Sequence, residues 1–244
     1  MKTFIAAILC TLVASSVFAS PVQFKSDTKQ TTVIELFTSQ GCSSCPPAEK
    51  WLNSLMDNPG LWTEFIPLAF HVDYWDRLGW KDIYAKPEHT KRQYQYQQNG
   101  NVRVVYTPGF FVNGQEWRAW SNWFKWTMPM SDKNVGVLSL DVEDNDIHAR
   151  YENGMKRALV LNVAVLGFDI KTPVKAGENS GHELPQEFVV LGHSQSVSSN
   201  GKWHVQLPNI SNEAKKYALV SWVSNANNQA PIQAAGGWLP EGNL

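Results

Sequence analysis

The stretch that most constrains this chain runs from Val33 to Pro47. Val33-Ile34-Glu35-Leu36-Phe37 is apolar on both alternating faces except at Glu35, the pattern of a central strand covered on both sides. Thr38 to Gly41 breaks the run, and Cys42-Ser43-Ser44-Cys45 follows. Ala48, Trp51, Leu52, Leu55 and Met56 then recur at helical spacing. Pro46 and Pro47 fit only the first helical turn, where backbone N–H groups have no intrahelical acceptor. A C-x-x-C at a strand-to-helix junction is the arrangement of a dithiol redox site. The positive end of a helix stabilises a thiolate and lowers its pKa from about 8.5. Cys42, nearest the turn, is expected to be the exposed nucleophile, and Cys45, further into the helix, the resolving thiol.

Phe37-Thr38-x-x-Gly41-Cys42-x-x-Cys45-Pro46 is similar to the active-site turn of glutaredoxin- and thioredoxin-like proteins. The longer string from Glu35 to Glu49 resembles the family of domain of unknown function 1223. The likeness extends to Phe70–Asp82 and Val105–Pro108, with a weaker echo at Gly177–Leu184. The resemblance implies a secreted bacterial protein with a thioredoxin-like core, and no established reaction. It also implies that Pro108 is cis and lies against the cysteine pair, leaving the Thr107 backbone free to pair with an extended peptide and keeping a metal off both thiolates.

The N-terminus bears on compartment. Met1-Lys2, an apolar run from Phe4 to Phe18 and the small-residue end Val17-Phe18-Ala19 read as a secretory signal peptide over residues 1–19. A periplasmic or secreted location follows, with no membrane insertion after cleavage. Cys10 would be removed, leaving Cys42 and Cys45 to pair with each other, act on a partner or hold a metal. Basic and acidic residues nearly cancel, 21 against 22, and adjacent basic residues come in isolated pairs such as Lys91-Arg92 and Lys215-Lys216, so nucleic acid is a poor partner.

Residues 20–30 read as a flexible lead-in. Thr31–Phe37, a helix over Ala48–Asp57 and a strand over Glu64–Val72 form a strand–helix–strand unit, which favours parallel pairing. Pro87 opens a polar helix to about Gln98. Pro108 precedes a short strand and an Asn113-Gly114 hairpin turn, and Gln115–Trp126 reads as a last helix. Residues 127–134 read as a linker. From Val135 the texture changes to short strands: Val137–Val142, Ile147–Tyr151, Ala158–Leu166, Glu187–Leu191, Trp203–Leu207, Tyr217–Ser224 and Ile232–Ala235. The expected architecture is therefore an α/β thioredoxin-like domain over residues 31–126, followed by an all-β antiparallel sandwich over 135–244.

Other residues are candidates for support. Glu35 is a carboxylate in a buried strand, either a proton carrier for the cysteines or half of a structural pair. His71 and Asp73 share a strand face by alternation, and a protonated His71 would depress a nearby thiol pKa. Tyr74, Trp75 and Trp80 lie on an aromatic loop at the end of a core strand, where α/β folds place their clefts. The function expected is thiol–disulfide oxidoreductase chemistry with protein or peptide thiols and disulfides, needing no diffusible cofactor. A non-catalytic binding module with a structural disulfide, or a copper or zinc carrier using the cysteines and His71, are the alternatives. No residue set is assigned to a metal.

Overall fold

The computed structural model describes residues 21–121, 128–153 and 157–240. The expected signal peptide lies outside the described residues. The first half carries β1 (Val22–Lys25), β2 (Thr32–Thr38), α1 (Pro46–Asn53), β3 (Phe65–His71), α2 (Pro87–Gln98), β4 (Gly109–Val112) and β5 (Gln115–Glu116). The second half carries β6 (Val137–Glu143), β7 (Asp146–Glu152), β8 (Leu159–Phe168), β9 (Ile170–Pro173) and β10 (Glu183–Gln186). It continues through β11 (Val189–Ser198), β12 (Lys202–Gln206), β13 (Lys216–Asn225) and β14 (Asn228–Trp238).

The expected unit around the cysteines forms. β2 is buried at every position and pairs parallel with β3, Thr32 opposite Phe65 through Thr38 opposite His71. β4 flanks β2 antiparallel on the other side, Phe37 opposite Gly109. α2 buries His89, Arg92, Gln93 and Tyr96, the spacing of a single helical face.

The expected fold class is not what the chain builds. The described residues hold two α-helices among fourteen strands. One eight-stranded sheet, in the order β14-β13-β8-β11-β3-β2-β4-β5, runs through both halves. An α/β thioredoxin-like domain followed by a sandwich would need the first sheet to end at its own edge. Instead β3 takes β11 as a parallel neighbour, Ala69 opposite Val189, and Ala69 N–H donates to Phe188 O at 2.9 Å. The physical reason lies in β8 and β13, which are buried on both faces. Leu159, Leu161, Val163 and Val165 face one core, beneath the four-stranded sheet β1-β6-β7-β12. Ala164, Leu166 and Phe168 alternate to the other face and pack with Phe65, Phe70 and Leu36. β13 divides likewise, Leu219 and Val223 against Ala218, Val220 and Trp222. Strands with two apolar faces cannot end at a solvated sandwich surface, and burying both joins the halves.

Local expectations also need correction. Val22–Lys25, within the supposed flexible lead-in, is β1 and pairs with β6. The helix expected over Gln115–Trp126 is instead β5 and a short 3-10 turn at Ala119–Ser121, and residues 122–127 lie outside the described residues. β9 and β10 form a separate two-stranded sheet.

Candidate functional site

The site begins where β2 ends. Cys45 stands at the N-cap of α1, with Pro46 and Pro47 in its first turn. Cys42 N–H donates to Ser39 O and Cys45 N–H to Cys42 O, both at 3.1 Å, so the turn folds back on itself. The two cysteines are joined in a disulfide with Cα atoms 5.4 Å apart. Ser44 Oγ lies 3.3 Å from Cys42 Sγ.

The sequence reading placed Cys42 in solvent. The structure corrects that: both cysteines are 0% exposed, while Ser43 and Ser44 between them are exposed. The groups that hold the turn come from segments remote in sequence, which a local reading cannot supply. Asn179 Nδ2 donates to Gln40 O at 2.9 Å and to Cys42 O at 3.0 Å. Ser43 donates to Glu178 Oε2 through its backbone N–H at 3.0 Å and its hydroxyl at 2.7 Å. Those hydrogen bonds hold the Glu178 carboxyl below the usual range. On the aromatic loop, Trp75 Nε1 donates to Thr107 Oγ1 at 2.7 Å, and Trp80 Nε1 to Gln40 Oε1 at 3.0 Å. A Cβ placed on Gly41 would stand 3.3 Å from Trp75 Cβ. Tyr74 donates to Gln93 Oε1 at 3.2 Å, and burial pushes its hydroxyl up to about 12.

Thr107–Pro108 is cis, and Pro108 is buried where β4 begins, continuing the register that sets Gly109 opposite Phe37.

Beneath the turn lies a cluster of buried titratable groups. Glu49, one helical turn after Cys45, donates its N–H to Cys45 O at 3.1 Å and accepts from Thr38 Oγ1 at 2.6 Å. Burial pushes its carboxyl up, a rise that His71 and the Thr38 hydroxyl only partly offset. His71 Nδ1 meets Asp82 Oδ2 at 2.7 Å, with His71 and Asp82 each 1% exposed. Burial alone would pull His71 down; the Asp82 charge and hydrogen bond, with Glu49, override it and raise its pKa. Burial works against the Asp82 carboxylate too, but His71 and two backbone N–H donors, Gln40 and Tyr84, bring its pKa below the ordinary value. The Gln40 N–H to Asp82 bond, at 2.8 Å, ties this pair to the turn two residues before Cys42. Gln186 links the cluster to β10, accepting from Gln40 Nε2 at 2.8 Å and standing 3.5 Å from His71 Nε2.

Two candidates sit apart from this cluster. Asp73 lies past the end of β3 and accepts from Thr90 Oγ1 at 2.6 Å, so the partner of His71 is Asp82, not Asp73. Glu35 accepts from Arg92 Nε at 2.5 Å and from the Tyr96 hydroxyl, a structural pair at the middle of β2. Glu49, Asp82, Gln40, Glu178 and Asn179 were not singled out from sequence. Glu49 left a spacing signal there, since it follows Cys45 by four residues and shares its helix face, whereas Gln40, Asp82, Glu178 and Asn179 lay within the stretches that carry the family resemblance but with nothing to tie them to the cysteines.

The chain matches the family described as "Protein of unknown function (DUF1223)" over residues 33–224. It belongs to that family. A solved structure, protein AGR_C_4864 from Agrobacterium tumefaciens, is similar with 24% identity and a TM-score of 0.62, covering 87% of this chain and 96% of that one. HBP35 of Porphyromonas gingivalis is similar with 14% identity and a TM-score of 0.52, covering 88% of this chain and 77% of that one. At these identities the likeness is one of fold. No curated protein matches this DUF1223 member.

Proposed function

We propose that this DUF1223 protein is an exported thiol–disulfide oxidoreductase that exchanges disulfides with protein or peptide partners through Cys42 and Cys45. The observation that carries the reading is the cluster of Glu49, His71 and Asp82 packed under the dithiol turn. Buried ionisable groups are costly, and shifted carboxyl and imidazole groups collected at one site are characteristic of proton-transfer chemistry. An inert disulfide needs none of them.

In the reducing direction Cys42 thiolate attacks a partner disulfide R–S–S–R′. A Cys42–S–S–R bond forms and R′S⁻ leaves, taking a proton from solvent. Cys45 thiol gives its proton to the Glu49 carboxylate, whose raised pKa makes it the stronger base, and attacks Cys42 Sγ. RS⁻ leaves and takes the proton held by Glu49, and the Cys42–Cys45 disulfide is restored. Two electrons and two protons pass to the partner, and the reverse sequence oxidises it. His71, whose pKa the neighbouring Asp82 raises, stabilises negative charge on Glu49 when it holds its second proton. Export rests on the N-terminal apolar pattern and its small-residue end.

The complete burial of both cysteines supports a second reading, a binding module with a structural disulfide. The two part in one experiment: Cys45→Ser expressed in the exporting cell, with mixed disulfides collected after acid quench. Exchange predicts a covalent Cys42 adduct with a protein partner that dithiothreitol releases. No adduct, together with a reduction potential below about −300 mV, would establish the structural disulfide.

A further inference from the structure

We infer that the connection between β9 and β10 is a clamp that keeps the dithiol turn shut, with Glu178 and Asn179 as its two contacts. The inference rests on the exchange reading for its purpose, though not for its geometry. Two consecutive residues, more than a hundred positions away in sequence, bracket Cys42 with four hydrogen bonds. Asn179 binds the carbonyls of Gln40 and Cys42, and Glu178 binds the amide and hydroxyl of Ser43. Every one of these bonds ends on the turn, and three end on Cys42 or the residue after it.

The two contacts differ in strength for a physical reason. The Glu178 carboxylate is solvated, so its bonds exchange readily with water. Asn179 is 5% exposed, and releasing it leaves its amide and two carbonyls to find new partners. Glu178 is therefore the latch and Asn179 the lock. Both sit on a segment able to move without disturbing the large sheet. β9 and β10 pair only with each other, and the tip is bounded by Gly177 (φ +74°) and Gly181 (φ +86°), in left-handed backbone that glycine adopts without strain. The base of the hairpin stays fixed through Gln40 Nε2 to Thr172 Oγ1 and Asn53 Nδ2 to Pro185 O.

A groove of ≈ 680 Å³ lies between the tip and α1, lined by Ser43, Lys50, Glu178, Asn179 and His182, and Glu49 forms part of its wall. Opening the tip widens this groove toward the sulfurs and gives the buried Glu49 carboxyl a route to solvent protons.

The test uses the full-length oxidised protein. The rate at which tris(2-carboxyethyl)phosphine reduces the disulfide, read as free thiol, is compared for wild type, Asn179→Ala, Glu178→Gln and Glu183→Gln. Asn179→Ala is expected to speed reduction roughly tenfold or more, the effect of two ordinary hydrogen bonds. Glu178→Gln, a milder change at an exposed site, should accelerate it less. The wild-type and Glu178→Gln rates should converge as pH falls through the carboxylate range. Glu183→Gln, on the same hairpin, should match wild type. If Asn179→Ala melts early, Glu178→Gln and its pH convergence decide the matter alone. Rates independent of both Glu178 and Asn179, or an equal rise in Glu183→Gln, would overturn the clamp. Faster phosphine reduction with no partner trapped by Cys45→Ser would leave the clamp standing and remove the exchange reading.

Discussion

Glu35 and Arg92 show how far a single buried charge commits its neighbours. Both side chains are nearly inaccessible, at 0% and 3%. The guanidinium lies 5.4 Å from the Phe70 ring centroid, 5.6 Å from that of Tyr96 and 5.1 Å from that of Trp222. Burial alone would lower the Arg92 pKa, but Glu35 and Tyr96 raise it. Removing one partner strands the other charge in an apolar core. Arg92→Met is expected to cost about 3–5 kcal/mol, and a Glu35→Gln/Arg92→Met double variant less than the two single costs combined. Urea unfolding measures both. A single-variant loss under about 1 kcal/mol would mean that water reaches Glu35.

At the scale of the elements, α2 and β11 each bring a histidine of lowered pKa against Phe70 of β3. His89 on α2 places Nδ1 2.9 Å from His71 O, and burial drops its pKa to about 3. His193 on β11 stacks on Trp222 with centroids 5.3 Å apart, and burial with the nearby Arg92 charge lowers it well below the ordinary value. A buried neutral histidine adds no penalty above the unfolded pKa near 6.5, and a growing one as pH falls below it. His71 has the opposite sign: its raised pKa gives stability that is complete below about 6.5 and is lost as pH rises through its folded value. Asp82, lowered, gives stability present above about 3.9 and lost only below it. Between pH 6.5 and 5 His89 contributes the largest loss, about 2 kcal/mol, and Glu49, raised by burial, offsets part of it by taking up a proton. The urea midpoint should fall over that interval, and His89→Gln should flatten the fall. A midpoint that holds steady or rises on acidification would show that these imidazoles are hydrated.

Across the whole molecule, the eight-stranded sheet makes each half the packing partner of the other. Phe168, Phe188, Val190 and Trp222 from the second half share one core with Phe37, Phe65, Phe70 and Phe110 from the first. Cutting the chain after Asn134 would strip β3 of β11 and expose that apolar face. A fragment ending there is expected to lack cooperative unfolding and to be digested quickly by protease. A compact fragment with a sharp thermal transition would show that the first half holds together alone. The same continuity carries the site, since the clamp and Gln186 enter from the second half to close over a turn built by the first.

The local features of this protein are legible in its residues alone. Val33 to Phe37 reads as a central strand because both its faces are apolar, and Pro46-Pro47 fixes where α1 starts; the cysteine pair lies between them in consequence. Glu49 was within reach of the same reasoning, being one turn past Cys45. Which segments meet was settled by the packing of the whole chain. Nothing in the spacing of Asp82, Gln186, Glu178 or Asn179 joins them to Cys42, because pairing between segments remote in sequence is set by which apolar faces bury together. That is also why the expected fold class was not the one built. β8 looks like an ordinary run of apolar residues in the sequence, yet its alternate side chains serve two different cores, and that double burial joins the two halves of the chain.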